Sequence, residues 1–394
     1  ASVLFNRQLL EELDGKRPAK KEPCSCVSGC LKGLVGIFAP HAGCHGGSAA
    51  GDLYAERQPL EELEAARPWS DLSEKEQGGV LITHASAAKE DIPKWTNQDA
   101  HVACVPVADG AEGAAAGDSP WDSYDAYTDQ DASATDGAAA GAAVRYVLFG
   151  VLDGHGRHGH QVSQLAANRI PGHWIAQLGC RRDPENALAK AVTMADCDVY
   201  KQMAANVEYN GSTAAIICMD TNRKTLHCAN VGDSRAVLGR LRKDAKWEAI
   251  PLTRDIKPDL PNEKERIEMS GGVVSPARSE DGEDAGPQRV WEDWTLTKPG
   301  LAMGRSIGDG CARRIGIIAE PEMSSHKLRS DDRFAIVASD GLWDALTNEE
   351  AVSIAARYIE TPHAAPRALI DAARERQEGQ LEDDTTIVMV VFKA

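Results

Sequence analysis

Tyr146-Val-Leu-Phe-Gly-Val-Leu152, followed by Asp153-Gly-His-Gly-Arg-His158, is an apolar run of strand length that stops on a carboxylate. Past it, residues 158–179 and 184–206 repeat their apolar positions at helical spacing, the second stretch with Asp183 as its cap. Short β runs follow at hairpin spacing: Thr213–Met219, Thr225–Val231, Ser234–Gly239 and Trp247–Thr253. Pro261–Ser270 reads as a helix ended by Gly271-Gly272, and Ser279–Trp294 as an acidic, irregular stretch. Arg333–Ser339 is a second strand, stopping on Asp340; residues 348–359 and 364–377 are two more helices, and Thr385–Phe392 alternates into a last strand. Upstream, Gly79–Thr83 is a strand-like run that opens the main domain, 79–394. The order is strand, two helices, a run of strands, two helices, strand. Segregated runs of this kind predict an α+β sandwich with helices packed outside antiparallel sheets, and argue against a doubly wound parallel sheet.

The 394 residues carry 60 Asp and Glu against 43 Lys and Arg, a formal charge of −17. A field of that sign repels polyanions, which excludes a nucleic-acid binder working through clustered cations. Hydrophobic residues make up 42%, enough for a sizeable core. The longest apolar stretches, such as Leu31 to Pro40, fall well short of the roughly 18–20 residues a membrane span requires. Between Trp95 and Val144 there is no Lys or Arg, and residues 109–143 hold eight acids in a matrix of Ala, Gly and Ser. Such an insertion has little apolar surface to offset its ordering entropy and reads as a solvated acidic loop.

Residues 1–78 read as an N-terminal extension rich in cysteine. Cys24, Cys26, Cys30 and Cys44 crowd there with His41 and His45. A zinc site lacks the paired C-x2-C knuckles it would need. Acylation and membrane attachment would suit cysteines that flank the apolar Leu31–Phe38 downstream of Lys16, Arg17, Lys20 and Lys21. The preferred reading assigns the cluster no role. The other six cysteines, Cys104, Cys180, Cys197, Cys218, Cys228 and Cys311, read as buried thiols of an intracellular protein, cytoplasmic or nuclear, acting as a monomer.

The acids fall at strand ends. Asp153 and Asp340 follow apolar strands, Asp383-Asp384 precedes the last one, Asp99 stands in Asn97-Gln-Asp99, and Asp233 follows Asn230-Val-Gly. Carboxylates packed together raise one another's pKa, so convergence of these ends calls for cations; all-oxygen ligation suits Mg²⁺ or Mn²⁺. The alternative is that each Asp merely caps a turn.

Val151-Leu-Asp-Gly-His-Gly-Arg-His158 resembles the Asp-Gly-His-Gly motif of the metal-dependent protein serine/threonine phosphatases of type 2C. The likeness continues in order through Asn210-Gly-Ser-Thr-Ala214, Ala229-Asn-Val-Gly-Asp-Ser-Arg235, Lys257-Pro258 with Glu263–Ile267 and Gly271-Gly272, Leu301-Ala-Met-Gly-Arg-Ser-Ile-Gly-Asp309, Ser339-Asp-Gly-Leu-Trp-Asp344 and Asp383-Asp-Thr-Thr-Ile-Val388. It covers roughly residues 79–394. The resemblance implies a β-sandwich of two antiparallel sheets flanked by pairs of α-helices. It implies hydrolysis of phosphoserine and phosphothreonine in proteins by a hydroxide bridged between two Mg²⁺ or Mn²⁺ ions.

Carried over by position, Asp153 would bridge the two ions, with the Gly154 carbonyl on one; Asp340 and Asp383 would hold the other, and Asp99 would act through water. Asp233, with Asp309 and Asp344, would match a weaker third site. His155 would be the general acid that protonates the leaving oxygen. Lys94 stands where the family commonly places an arginine on the substrate phosphate, and would act as a point charge. Asp384 replaces a usual Asn, and Gln98 a frequent Glu. The stretch 273–300 takes the place of the family's variable flap; its default reading is a solvated loop. Its acids, Glu280, Asp281, Glu283, Asp284, Glu292 and Asp293, would favour phosphoprotein substrates with basic phosphosites. A pseudophosphatase scaffold with impaired metal binding is the first competing reading, and an acidic cation-binding protein without catalysis the second; retention of Asp99, Asp153, His155, Asp340 and Asp383 favours the enzyme.

Overall fold

The computed structural model describes residues 75–77, 80–90, 96–108, 144–180, 182–279 and 281–392. The expectations for residues 1–74, for the insertion 109–143 and for Lys94 lie outside them.

In chain order the first elements are β1 (Lys75–Gln77), β2 (Val80–Ala87), β3 (Ala100–Ala108), β4 (Val144–Leu152), β5 (Gly154–His155), α1 (Gly159–Gly179) and α2 (Pro184–Met203). There follow β6 (Gly211–Ser212), β7 (Ala214–Asp220), β8 (Thr225–Val231), β9 (Arg235–Leu241), β10 (Trp247–Pro251), α3 (Pro261–Met269), β11 (Val273–Arg278), β12 (Asp284–Trp291) and β13 (Pro299–Leu301). The last are β14 (Ile307–Gly308), α4 (Gly310–Arg313), β15 (Glu322–Lys327), β16 (Asp332–Ala338), α5 (Asp340–Trp343), α6 (Asn348–Ala356), α7 (Ala365–Arg376) and β17 (Thr385–Phe392).

Two antiparallel sheets dominate, one in the order β1-β2-β17-β16-β9-β10 and the other β15-β8-β7-β4-β3. Their central strands are apolar on both faces because both faces are covered. Along β4, Val147, Phe149 and Val151 enter the core between the sheets, where they meet Val337, Val388 and Val390 from β16 and β17. Tyr146, Leu148 and Leu152 point the other way, into a second core with Ile170 and Trp174 of α1 and Leu188 and Val192 of α2. Ile387 and Met389 of β17, with Phe334 and Ile336 of β16, face a third core with Val352 of α6 and Leu369 and Ile370 of α7. The α+β sandwich with outer helix pairs is therefore the fold. A fully buried side chain such as Phe149 contributes roughly 2–3 kcal/mol by leaving water.

Local signals work as expected at the helix starts. Asp183 accepts the N–H of Asn186 at 3.1 Å ahead of Pro184, and Thr347 with Glu350 forms a capping box on α6.

Four expectations are corrected. The first sheet begins before residue 79, because Lys75–Gln77 pairs with β2 as a polar edge strand without apolar alternation. Strands β3 and β15 are the edges of the second sheet and are additional to the expected elements: β15 is too polar to be read from sequence, while β3 is apolar enough to have been read. The stretch Ser279–Trp294 is not irregular: β11 and β12 make a hairpin turned at Gly282, φ +80°, and β13 completes a three-stranded sheet. Trp291 is buried there and donates its indole N–H to the Ser275 carbonyl at 2.8 Å, while Trp294 is exposed. Finally, Cys180 is exposed and Cys197 half-buried; Cys218, Cys228 and Cys311 are buried.

Candidate active site

Strand register brings the acidic strand ends to one end of the sandwich. Ala100 pairs with Leu152, Val151 with Ala215, and Ala214 with Val231, so the start of β3 and the ends of β4 and β8 lie side by side. In the other sheet Ala338 pairs with Ile387, and Thr385 with Ala87. Asp99, Asp153, Asp233, Asp340 and Asp383 are the residues just beyond these paired ends.

Each is held by its own scaffold. The Asp153 backbone exchanges two hydrogen bonds with Thr213, N–H to Oγ1 at 2.9 Å and carbonyl from N–H at 2.8 Å. Asp99 takes the hydroxyl of Ser339 on Oδ2 at 2.8 Å, and the same hydroxyl accepts the N–H of Thr386 at 2.9 Å. Asp340 opens α5, and Asp344 closes it. Gln98 donates its side-chain N–H to the Gly156 carbonyl at 2.8 Å, a bond the frequent Glu could not make when ionised. A Cβ on Gly154 would lie 2.5 Å from the carbonyl oxygens of Gln98 and of Gly159, so the backbone itself fills that wall.

The carboxylates repel one another. Burial, then Asp384 and Asp383, push Asp99 up to about 7. Burial, then Asp99, Asp340, Asp383 and Asp233, push Asp153 well above the carboxylate range. Asp340 is raised the same way by burial, Asp233, Asp383 and Asp344. Asp383 and Asp344 are raised, burial again being the first cause. Oδ1 of Asp99, of Asp233 and of Asp340 are buried with no hydrogen-bond partner. Buried carboxylate oxygens without a hydrogen-bond partner suit hard divalent cations. Among the described residues no three of these side chains already converge at ligand distance.

Two acids have partners that the sequence reading did not give. Asp309 Oδ2 lies 2.7 Å from Nε2 of His155. Burial lowers the His155 pKa, but Asp309, with Asp233 and Asp340 behind it, outweighs that and holds it above the ordinary value. Nδ1 of His155 is buried without a partner. A Cβ on Gly211 would fall 2.1 Å from Asp309 Oδ2 and 2.6 Å from His155 Nε2, so that glycine makes the pairing possible. Asp384 takes the backbone N–H of Lys89 on Oδ1 and that of Gln98 on Oδ2, at 2.9 and 2.7 Å. Sequence reasoning missed Lys257, whose Nζ lies 2.6 Å from Asp233 Oδ2. It was visible only as part of Lys257-Pro258.

Residues 122–380 match the sequence profile described as Protein phosphatase 2C. The chain belongs to the protein phosphatase 2C family. It is a metal-dependent protein serine/threonine phosphatase. "Probable protein phosphatase 2C 72" of Arabidopsis thaliana is 36% identical over 261 residues, covering 62% of this chain and 76% of that protein. "Probable protein phosphatase 2C 48" of Oryza sativa subsp. japonica is 34% identical over 272 residues, 62% and 75% of the two chains. The solved serine-threonine phosphatase 2C from Toxoplasma gondii superposes with a TM-score of 0.64, covering 82% of this chain and 98% of that one, at 18% identity, a likeness of fold. Asp99 and Asp383 lie outside the matched segment of this phosphatase 2C, and it is strand pairing that brings them to Asp153. No described helix is long and apolar enough to cross a membrane.

Proposed function

We propose that Asp153, the Gly154 carbonyl, Asp340, Asp383 and Asp99 hold two Mg²⁺ or Mn²⁺ ions, with Asp233 and Asp344 flanking a weaker third position. The observation that carries this reading is the set of buried, partnerless oxygens on Asp99, Asp233 and Asp340 beside a strongly raised Asp153. The ions would supply Lewis-acid charge for the phosphoryl oxygens and acidify the attacking water. The protein residues do the rest. Thr213 fixes the Asp153 backbone, Ser339 fixes the Asp99 carboxylate, and the close backbone packing at Gly154 leaves no room for a side chain there. Asp309 holds the His155 ring through Nε2, and the proton for the leaving serine or threonine oxygen would come from the other ring nitrogen, Nδ1, which has no partner among the described residues. Lys94 would meet the substrate phosphate as a point charge. Substitution of Asp340 by Asn tests the set: Mn²⁺ binding measured by calorimetry should weaken at least about tenfold, and unchanged binding would contradict the assignment.

The substrates are phosphoproteins, and the flap favours those with basic phosphosites. Asp284 is paired with Arg278, and Glu292 with Lys298 at 3.2 Å. Asp281 and Glu283 have no ion pair among the described residues. Replacing these two by Ser and Gln should lower the preference for basic phosphopeptides while sparing an aryl phosphate; equal effects on both would count against it.

A further inference from the structure

The His155–Asp309 pair stands on a second layer of residues to which no role has been given. Asp309 has φ 50° and ψ 59°, a left-handed conformation that costs a non-glycine residue about 1 kcal/mol unless its surroundings impose it. Its neighbour Gly308 is gripped at both ends of its peptide groups by one face of α2. Asp196 Oδ1 accepts the Gly308 N–H at 2.9 Å, and the Tyr200 hydroxyl, one helical turn on, donates to the Gly308 carbonyl at 3.0 Å. Arg313 closes the arrangement. Its Nη2 donates to Asp196 Oδ1 at 2.5 Å and to the Ser306 carbonyl at 3.0 Å, its Nε donates to the Tyr200 oxygen at 3.0 Å, and its guanidinium lies 5.6 Å over the Tyr200 ring. Gly308 is also the strand residue that pairs with Gly211, and Gly211 pairs with His155. Helix α2 is thus hydrogen-bonded to Gly308, Gly308 is covalently followed by Asp309, and the Asp309 carboxylate is hydrogen-bonded to the His155 ring.

We propose that Asp196, Tyr200 and Arg313 are positioning residues for proton donation: they fix the Gly308 peptide, and through it the Asp309 carboxylate that orients His155. The inference rests on the reading of His155 as the general acid. A purely structural network of this kind would support only folding. A positioning network also sets how well a poor leaving group is expelled. Threonine oxygen leaves as a strong base and needs its proton as the P–O bond breaks, whereas a nitrophenolate leaves with little help.

The test uses the full chain with Mn²⁺, comparing kcat on a phosphothreonine peptide and on a nitrophenyl phosphate for wild type, Tyr200→Phe, Asp196→Asn and His155→Ala. Tyr200→Phe keeps the ring against Arg313 and removes only the hydroxyl, so it guards against loss of fold in the Asp196 variant. His155→Ala should lose about 10²-fold more on the peptide than on the aryl ester. Tyr200→Phe and Asp196→Asn should each lose about tenfold more on the peptide than on the aryl ester, with KM and Mn²⁺ affinity unchanged. If His155→Ala shows that leaving-group dependence and Tyr200→Phe loses equally on both substrates, or on neither, the positioning role is overturned. If His155→Ala itself falls uniformly, the acid assignment fails, and the inference with it.

Discussion

The carboxylate of Asp384 accepts the backbone N–H of Gln98 at 2.7 Å, stapling the head of the terminal strand to the residue before Asp99. Its second oxygen takes the N–H of Lys89 at 2.9 Å. An asparagine, the usual residue here, has only one side-chain acceptor. Asp384→Asn should therefore leave one N–H unsatisfied and cost about 1–2 kcal/mol in urea unfolding, although it removes a charge from a crowded site. A variant as stable as wild type would show that the staple carries no energy.

Glu263 ties α3 to Arg305 and gives a pH signature. Its side chain is fully buried, with Arg266 and Arg305 each at 2.7 Å. Burial would raise its pKa, but the hydrogen bonds and charges of Arg305 and Arg266 prevail and hold it below the ordinary carboxylate value. Because the folded pKa is depressed, the stabilisation is present above the unfolded value near 4.5 and is lost as pH falls below it. Glu263→Gln should cost about 3 kcal/mol at pH 7 and progressively less below about pH 4.5. Parallel stability curves for the two proteins at all pH values would contradict this.

Lys257 neutralises Asp233 in the absence of cations. Burial opposes its charge, but Asp233, Asp340 and Asp255 raise its pKa. Lys257→Met should lower the melting temperature of the metal-free protein by on the order of 5 °C. Mn²⁺ should restore more of the loss than it adds to wild type, since a cation can replace the missing ammonium. Equal Mn²⁺-induced shifts in both proteins would argue that Asp233 lies outside the cation site.

The sandwich was legible because β4, β16 and β17 are apolar on both faces and have carboxylates at one end, after β4 and β16 and before β17, a pattern local to each strand. The edges were not: Lys75–Gln77 and Glu322–Lys327 are polar strands whose identity comes from the neighbour they pair with. The flap hairpin escaped for a related reason, since its buried residues, Val273, Val274, Val290 and Trp291, sit at the far ends of the two strands with charged and small residues between them. Within the site, the acids could be named from the residues that flank strand ends, after the strand for Asp153, Asp233 and Asp340 and before it for Asp99 and Asp383. The His155–Asp309 and Lys257–Asp233 pairs span 154 and 24 residues, distances over which sequence spacing says nothing about contact.

The most direct measurement of the central claim is Mn²⁺-dependent hydrolysis of a phosphothreonine peptide by wild type and by Asp153→Asn. Asp153 is pressed by four other carboxylates, so neutralising it should abolish cation-dependent turnover, with a loss of about 10³-fold or more, while the fold is retained by circular dichroism. Activity unchanged by the substitution would contradict the two-cation site.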